Sequence, residues 1–354
     1  MRIVYLLETA EEPWGGVQTV LRDARALRER GHQVLLVSRS GPPAWTDPGV
    51  PFLQDPALSL EGVDGADLVV GTYWSTVPAA VLSGKGIPVH FCQGFEGNEG
   101  LPARIREAIE RVYAMEETSL VVVSSHLADL LGRRFGRSCR TVPNAVDGRV
   151  MHPGPPRGEE GPLRVGLFGP AQVPIKGIAA GIEACLLAAR AGLDLVLVRA
   201  SHLPFLEAEF KVPFRVEAHC RVPYEEMGNL YRSLDLFLGT ADSVEEGFYL
   251  PGLEALACGV PSVLTDIPSI RSYAKGNSAL LVPPGDREAM AAALVFLARR
   301  RDVRETLRRG AVQAAASFTM EDRLELLERT FLEILEERRG RSLSGAGLGE
   351  RVSC

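Results

Sequence analysis

Short apolar runs alternate with amphipathic stretches along this chain, and they do so twice, on either side of a segment rich in proline and glycine. In the first half Ile3 to Leu7, Val34 to Ser38, Leu68 to Thr72, Pro88 to Phe91 and Leu120 to Ser124 read as strands. Between the first two, Val17, Val20, Leu21, Ala24 and Leu27 recur at helical spacing and Gly31 closes the helix, giving a strand-helix-strand unit. Repetition of that unit builds a parallel sheet. Residues 152–162, with four prolines and three glycines, read as a linker. Beyond it Arg164 to Phe168, Leu193 to Val198, Phe214 to Ala218, Leu234 to Gly239, Pro261 to Thr265 and Leu280 to Val282 read as strands of a second sheet. Helices are expected near Gly177 to Ala191, Glu225 to Leu234 and Arg287 to Arg300. The pattern predicts an α/β chain of two Rossmann-like, doubly wound parallel-sheet domains facing a central cleft. Ligands of such sheets bind beyond the carboxyl ends of the strands, so the loops after Leu7, Phe91, Phe168, Ala218, Gly239 and Thr265 are the ones to inspect.

Composition narrows the class of partner. A chain of 354 residues, 46% hydrophobic and 24% charged, has ample core for two domains, and a net charge of -6 argues against a dedicated nucleic-acid binder. The six cysteines form no C-x-x-C pair and sit mostly in apolar surroundings, which favours a reducing cytoplasm. Residues 1–8 read as a first strand rather than a signal segment, and no run approaches the roughly 20 apolar residues of a membrane span. Peripheral contact with the inner face of a membrane stays open.

The most informative local stretch is residues 245–261, in which Glu246 and Glu254 stand eight positions apart. Pro251 suits the first turn of a helix, and Gly259 with Pro261 stops that helix two turns later. Glu246 then lies on the loop leading into the helix and Glu254 inside its first turn. Free backbone amides of roughly Phe248 to Leu253 would share the space of both carboxylates. Helix-start amides and the dipole hold phosphate, while acceptor-only carboxylates hold the hydroxyls of sugars. A nucleotide-sugar carries both groups. Read in isolation, two acids at a helix start simply complement the dipole.

The whole segment, Glu-Gly-Phe-Tyr-Leu-Pro-Gly-Leu-Glu-Ala-Leu-Ala-Cys-Gly-Val-Pro from Glu246, resembles the donor-site signature of the retaining GT-B glycosyltransferases of the family-4 group, with Tyr249 in place of the usual second glycine. The resemblance extends over nearly all of the chain to about residue 335. It implies an N-terminal acceptor domain over 1–152, a C-terminal donor domain over 163–318, and a last helix, about 319–337, that packs back on the first domain. Residues 338–354 read as a disordered Gly/Ser-rich tail.

Several other residues acquire roles beside that signature. Gly15 and Gly16 open the first helix after the first strand, where glycine lets the backbone approach a phosphate; alone such a pair more often marks an ordinary tight turn, and in the resembled family it touches diphosphate or acceptor. A G-x-G-x-x-G is absent, which weakens a dehydrogenase reading. Lys176 stands just before a helix after the first strand of the second domain, where an ammonium can neutralise a leaving diphosphate, and it matches the family's phosphate lysine. Six residues earlier, where the family has arginine, is Pro170. Arg199 and Arg221 are candidates for the missing cation. Arg221 and Val222 also fall on a loop resembling the one whose backbone pairs with the nucleobase. Gln93 to Glu96 resembles a loop of rhamnosyltransferase-like members, and Glu96 is a candidate general base toward an acceptor hydroxyl or, equally, a loop cap. His90 reads as a core or wall histidine and His126 as a helix-start residue.

The expectation is a metal-independent retaining hexosyltransferase that moves a hexose or deoxyhexose from a nucleotide-diphosphate sugar to a hydroxyl of a glycan, lipid or small-molecule acceptor. Glu246 would meet the sugar hydroxyls and Glu254 the ribose. The amides of Gly247, Phe248, Tyr249 and Leu250, with Lys176, would hold the diphosphate. No cofactor and no essential metal are expected, since no D-x-D or ligand-spaced cluster is present. Two competing readings are a non-catalytic nucleotide-sugar-binding protein, motivated by Pro170 and by a bulky Tyr249 narrowing the site, and a nucleotide-sugar epimerase on a similar fold.

Overall fold

The structure, a computed structural model, describes residues 1–97, 100–155, 158 and 161–346. By its contacts the chain divides into two compact units, one formed by Met1–Pro143 with Glu321–Cys354 and the other by Asn144–Met320.

The first unit holds the strands β1 (Arg2–Leu7), β2 (Gln33–Ser38), β3 (Phe52–Gln54), β4 (Leu68–Gly71), β5 (Ile87–Cys92), β6 (Ser119–Val122) and β7 (Cys139–Thr141). They form one sheet in the order β3-β2-β1-β4-β5-β6-β7, and every pairing is parallel. The helices are α1 (Gly15–Glu29), α2 (Val77–Leu82), α3 (Ala103–Tyr113) and α4 (Ser125–Phe135). Ile3 to Leu7 and Leu68 to Val70 are buried throughout, as expected of strands covered on both faces. Val20, Leu21, Ala24 and Leu27 form the buried stripe of α1.

The second unit holds β8 (Leu163–Phe168), β9 (Leu195–Ser201), β10 (Arg215–Cys220), β11 (Leu236–Gly239), β12 (Ser262–Thr265) and β13 (Leu280–Val282), again all parallel, in the order β10-β9-β8-β11-β12-β13. Its helices are α5 (Ile178–Arg190), α6 (Tyr224–Arg232), α7 (Leu250–Ala257), α8 (Pro268–Arg271), α9 (Arg287–Arg299) and α10 (Arg301–Ala315). In both sheets strand order reverses beside the first strand, at β1/β4 and at β8/β11, so each unit has a topological switch point at its carboxyl edge.

The last helix, α11 (Met320–Ala346), belongs to the first unit beyond its first residue. Its anchor is Arg323, which is 3% exposed and forks onto Asp23 at 2.9 and 2.6 Å while donating to the carbonyls of Val142 and Pro143. Farther along, Glu328 accepts from His32 and Arg30. The helix runs well past residue 338, so the part of the expected tail that is described is helical, and residues 347–354 lie outside the described residues.

Two further differences from the sequence reading have local causes. The division falls at Pro143/Asn144 rather than at 152, because residues 144–152 pack with the second unit: the Val146 N–H donates to Phe318 O, Val146 bridges Thr319, and Arg232 donates to the Val150 and His152 carbonyls. Helix α10 also has no counterpart in the sequence reading. Its buried face is Leu307, Gly310, Ala311 and Ala315, mostly small residues that give a weak apolar period.

Candidate active site

In the second unit the carboxyl ends of β8 and β11 are tied together by Lys176 and its neighbours. After β8 the chain passes Gly169 and Pro170 into a 3-10 turn, Pro174–Lys176, and Gly177 then adopts φ 62°. A side chain at Gly177 would be strained at that φ, and its Cβ would lie 2.0 Å from the Thr240 carbonyl oxygen, so only glycine fits. Thr240 Oγ1 donates to the Lys176 carbonyl at 2.7 Å, and the Asp242 N–H donates to Ile175 O. These bonds fix Lys176 over the switch point.

From β11 the chain runs through Glu246 into α7. Glu246 is 9% exposed, and its Oε2 accepts from Lys176 Nζ at 2.6 Å. The two residues singled out from separate motifs, seventy positions apart, therefore meet as an ion pair. Phe248 is buried against Tyr273 and Phe318. Tyr249 is 1% exposed, and its ring lies against Gly239 and Gly252, where any added Cβ would meet it at 2.9 and 3.0 Å. Its side chain points into the unit, with Lys176 Nζ 5.9 Å from the ring centre. The expectation that Tyr249 narrows a donor site is thus corrected: the residue is a floor under Lys176, and two small residues make room for it.

The helix-start amides are fewer than the sequence suggested. Leu250 N–H donates to Phe248 O at 2.9 Å, Pro251 has no N–H, and α7 begins at Leu250. Leu250 is therefore not a donor toward a ligand. Phe248, Tyr249 and Gly252 are the members of that set with no intrahelical carbonyl to bond, beside Gly247 on the loop. Glu254 lies one turn into α7, where its Oε2 accepts from Tyr231 of α6 at 2.9 Å. Burial, first, and the Glu254 charge hold the Tyr231 phenol well above its ordinary pKa, so it remains a donor.

Arg199 does not serve as a second cation. It is fully buried, with Nε and Nη2 on Glu209 Oε2 at 2.9 and 2.8 Å and Nη2 on Gly169 O at 2.8 Å. Its task is to brace the turn after β8 from beneath. Arg221 is exposed at the end of β10, with φ 56° and Nε donating to His202 O, and Val222 follows it.

In the first unit Gly15 and Gly16 open α1. Gln93 Nε2 donates to Gly16 O at 3.1 Å, and a Cβ on Gly16 would lie 3.1 Å from that nitrogen, whereas Gly15 faces open space. Glu96 follows β5; its Oε2 accepts a short hydrogen bond from Tyr113 of α3, and the nearby Trp74 main-chain N–H also favours its carboxylate. Burial pushes the Glu96 carboxyl up to about 7, against the lowering effect of those donors. His90 is fully buried against Tyr113, and burial pushes its imidazole down to about 3, so it is a neutral wall residue. The N-cap of α4 is Ser124, whose Oγ accepts from Leu127 N–H, and not His126.

The roles of Tyr113, Tyr231 and Thr240 were not visible in the sequence. Each acts on a residue many positions away through tertiary packing, and none lies in a motif. Among the described residues no group of three or more His, Cys, Asp or Glu side chains converges, and no helix is long and apolar enough to cross a membrane.

Solved structures share this fold. Sucrose-phosphate synthase of Thermosynechococcus elongatus superposes with a TM-score of 0.79 at 15% identity, over 95% of this chain and 100% of that one. HepE of Anabaena in complex with UDP-glucose gives 0.79 at 15% identity, over 94% and 100%. The fold is that of the GT-B glycosyltransferases. Residues 162–300, which lie in the second unit, match the model of the glycosyl transferases group 1 family. A D-inositol 3-phosphate glycosyltransferase of Saccharomonospora viridis is 34% identical over 123 residues, 34% of this chain and 28% of the relative. One of Thermobispora bispora is 33% identical over 141 residues, 40% of this chain and 32% of the relative. The matches thus span about a third of the curated relatives' length.

Proposed function

We propose that this protein is a retaining glycosyltransferase that moves a hexose or deoxyhexose from a nucleotide-diphosphate sugar to an acceptor hydroxyl. The observation that carries the reading is the Lys176–Glu246 pair at the carboxyl edge of the second sheet, beside the start of α7. Lys176 and the amides of Phe248, Tyr249 and Gly252 act on the diphosphate, where negative charge develops as the bond to the sugar breaks. Before donor arrives, Glu246 neutralises Lys176; the diphosphate then takes over the ammonium, and Glu246 accepts donor-sugar hydroxyls. Glu254, oriented by Tyr231, accepts the ribose hydroxyls.

The bond between the anomeric carbon and the phosphate oxygen breaks with its electron pair, the acceptor oxygen bonds the same carbon, and the hydroxyl proton goes to Glu96. A carboxylate whose pKa lies near neutrality suits that last task. Cationic charge from Lys176 makes a metal unnecessary in this scheme. Solved relatives with UDP or UDP-glucose bound support a nucleotide-sugar donor. The five unpaired cysteines among the described residues fit a reducing, cytoplasmic setting.

A second reading, donor binding without catalysis, keeps one observation in its favour: Pro170 replaces the family's arginine, and Arg199 does not substitute for it. Melting of the protein against UDP-, GDP-, TDP- and ADP-sugars tests both readings, since a ligand that binds the native state alone raises the melting temperature. A selective shift with slow donor hydrolysis supports the transferase; a shift with no hydrolysis and no transfer supports the binding protein; no shift with any nucleotide contradicts both.

A further inference from the structure

The carboxyl edge of the first unit carries a rigid aromatic surface that the donor chemistry leaves unused. Tyr73 and Trp74 follow β4, Tyr73 is 40% exposed, and their ring centres are 6.2 Å apart at 48°. The turn that presents them is held from within. Thr76 Oγ1 accepts from the N–H groups of Thr72 at 3.0 Å and Tyr73 at 3.2 Å and donates to Tyr73 O at 2.8 Å. Ser75 donates to the carboxylate of Glu8, which follows β1 and also receives Arg39 Nε at 3.1 Å. The Trp74 main-chain N–H favours the Glu96 carboxylate, and burial first, then the charges of Glu96 and Glu8, hold the Tyr73 phenol above its ordinary range. Glu8, through Ser75, and Glu96, whose carboxylate the Trp74 main-chain N–H favours, border the aromatic pair.

Resting on the transferase reading above, we propose that Tyr73 and Trp74 are the stacking floor for a neutral saccharide acceptor, whose attacking hydroxyl is delivered to Glu96. A pyranose offers an apolar face of C–H bonds and a rim of hydroxyls, which complements aromatic rings bordered by carboxyl groups. A phosphorylated acceptor would set its anion beside Glu8 and Glu96, and Arg39 is already engaged by Glu8. An acyl chain would leave both carboxylates without hydroxyl partners.

Saturation-transfer NMR on the full chain, with and without UDP, tests this against methyl glycosides and disaccharides of glucose, galactose, mannose and rhamnose and against the matching sugar phosphates. At least one neutral saccharide is expected to bind. Trp74→Ala and Tyr73→Ala should each weaken it by about tenfold, equivalent to ~1.4 kcal/mol, and Trp74→Phe should retain most of the affinity. Binding of no neutral saccharide, preference for the sugar phosphates, or undiminished binding in Trp74→Ala would overturn the inference. Nucleotide-sugar melting shifts on the same preparation judge the donor site separately, so a shift without saccharide binding removes this inference alone.

Discussion

Lys176 Nζ stands 2.6 Å from Glu246 Oε2 with the buried ring of Tyr249 beneath the ammonium. The pair joins the two loops that flank the β8/β11 switch point, and the bonds from Thr240 to the Lys176 carbonyl and from the Asp242 N–H to Ile175 O tie the same two loops together. An ammonium so held needs little reorganisation to meet a diphosphate, which is where electrostatic catalysis gains most.

Replacing the cation tests that economy. Lys176→Met should lower kcat by about 100- to 1000-fold, the scale of losing one preorganised charge-stabilising donor. Steady-state kinetics with the donor identified by melting would show it. Preserved kcat with a raised KM would mean that the lysine binds ground state and transition state equally.

Gly177→Ala should be nearly as damaging without touching a charge. The left-handed φ and the Thr240 carbonyl 2.0 Å from the new Cβ leave no room, so the turn carrying Lys176 must shift. A lower melting temperature accompanied by a large loss of activity is the expected pattern.

Transfer should depend on pH through Glu96. With its carboxyl at about 7, the fraction able to take a proton grows as pH rises through neutrality, and kcat/KM should rise with it. The Tyr113 bond favours the carboxylate, so Tyr113→Phe should move that rise to higher pH. The stability linkage has the opposite sign to a depressed acid. Between its ordinary value of 4.5 and about 7 the native state keeps a proton that the unfolded chain has lost, so this group's contribution to stability falls as pH rises across that window.

Arg323→Met should destabilise the first unit by about 3–5 kcal/mol, because Asp23 would be left buried and unpaired. Denaturant titration checks the size, and Asp23→Asn combined with Arg323→Met should recover part of it.

Much of this arrangement was legible in the residues. Continuous apolar runs gave the principal strands of both sheets, and the Pro251 and Gly259 punctuation gave α7 nearly to the residue. The edge strands β3 and β7 escaped because each has three residues and none is buried. Glu246 and Lys176 were each visible in a motif, but their ion pair was not, since it is made by the switch-point topology. Tyr249 shows the limit most clearly. Its size suggested obstruction, and the inward turn of its ring depends on Gly239 and Gly252, one on a strand and one on a helix, whose shared purpose appears only in three dimensions. Arg199 is the converse case, a cation with the right address whose charge is consumed by Glu209 on a 3-10 turn that no motif marks.

Turnover of Glu246→Gln against wild type, measured with the same donor and acceptor and with melting and donor binding monitored in parallel, tests the central claim most directly. The amide keeps the shape of the carboxylate but cannot neutralise Lys176 or accept the donor-sugar hydroxyls in the same way. The account predicts loss of transfer by at least about 100-fold with the fold retained. Transfer at the wild-type rate would contradict the assignment of the Lys176–Glu246 site.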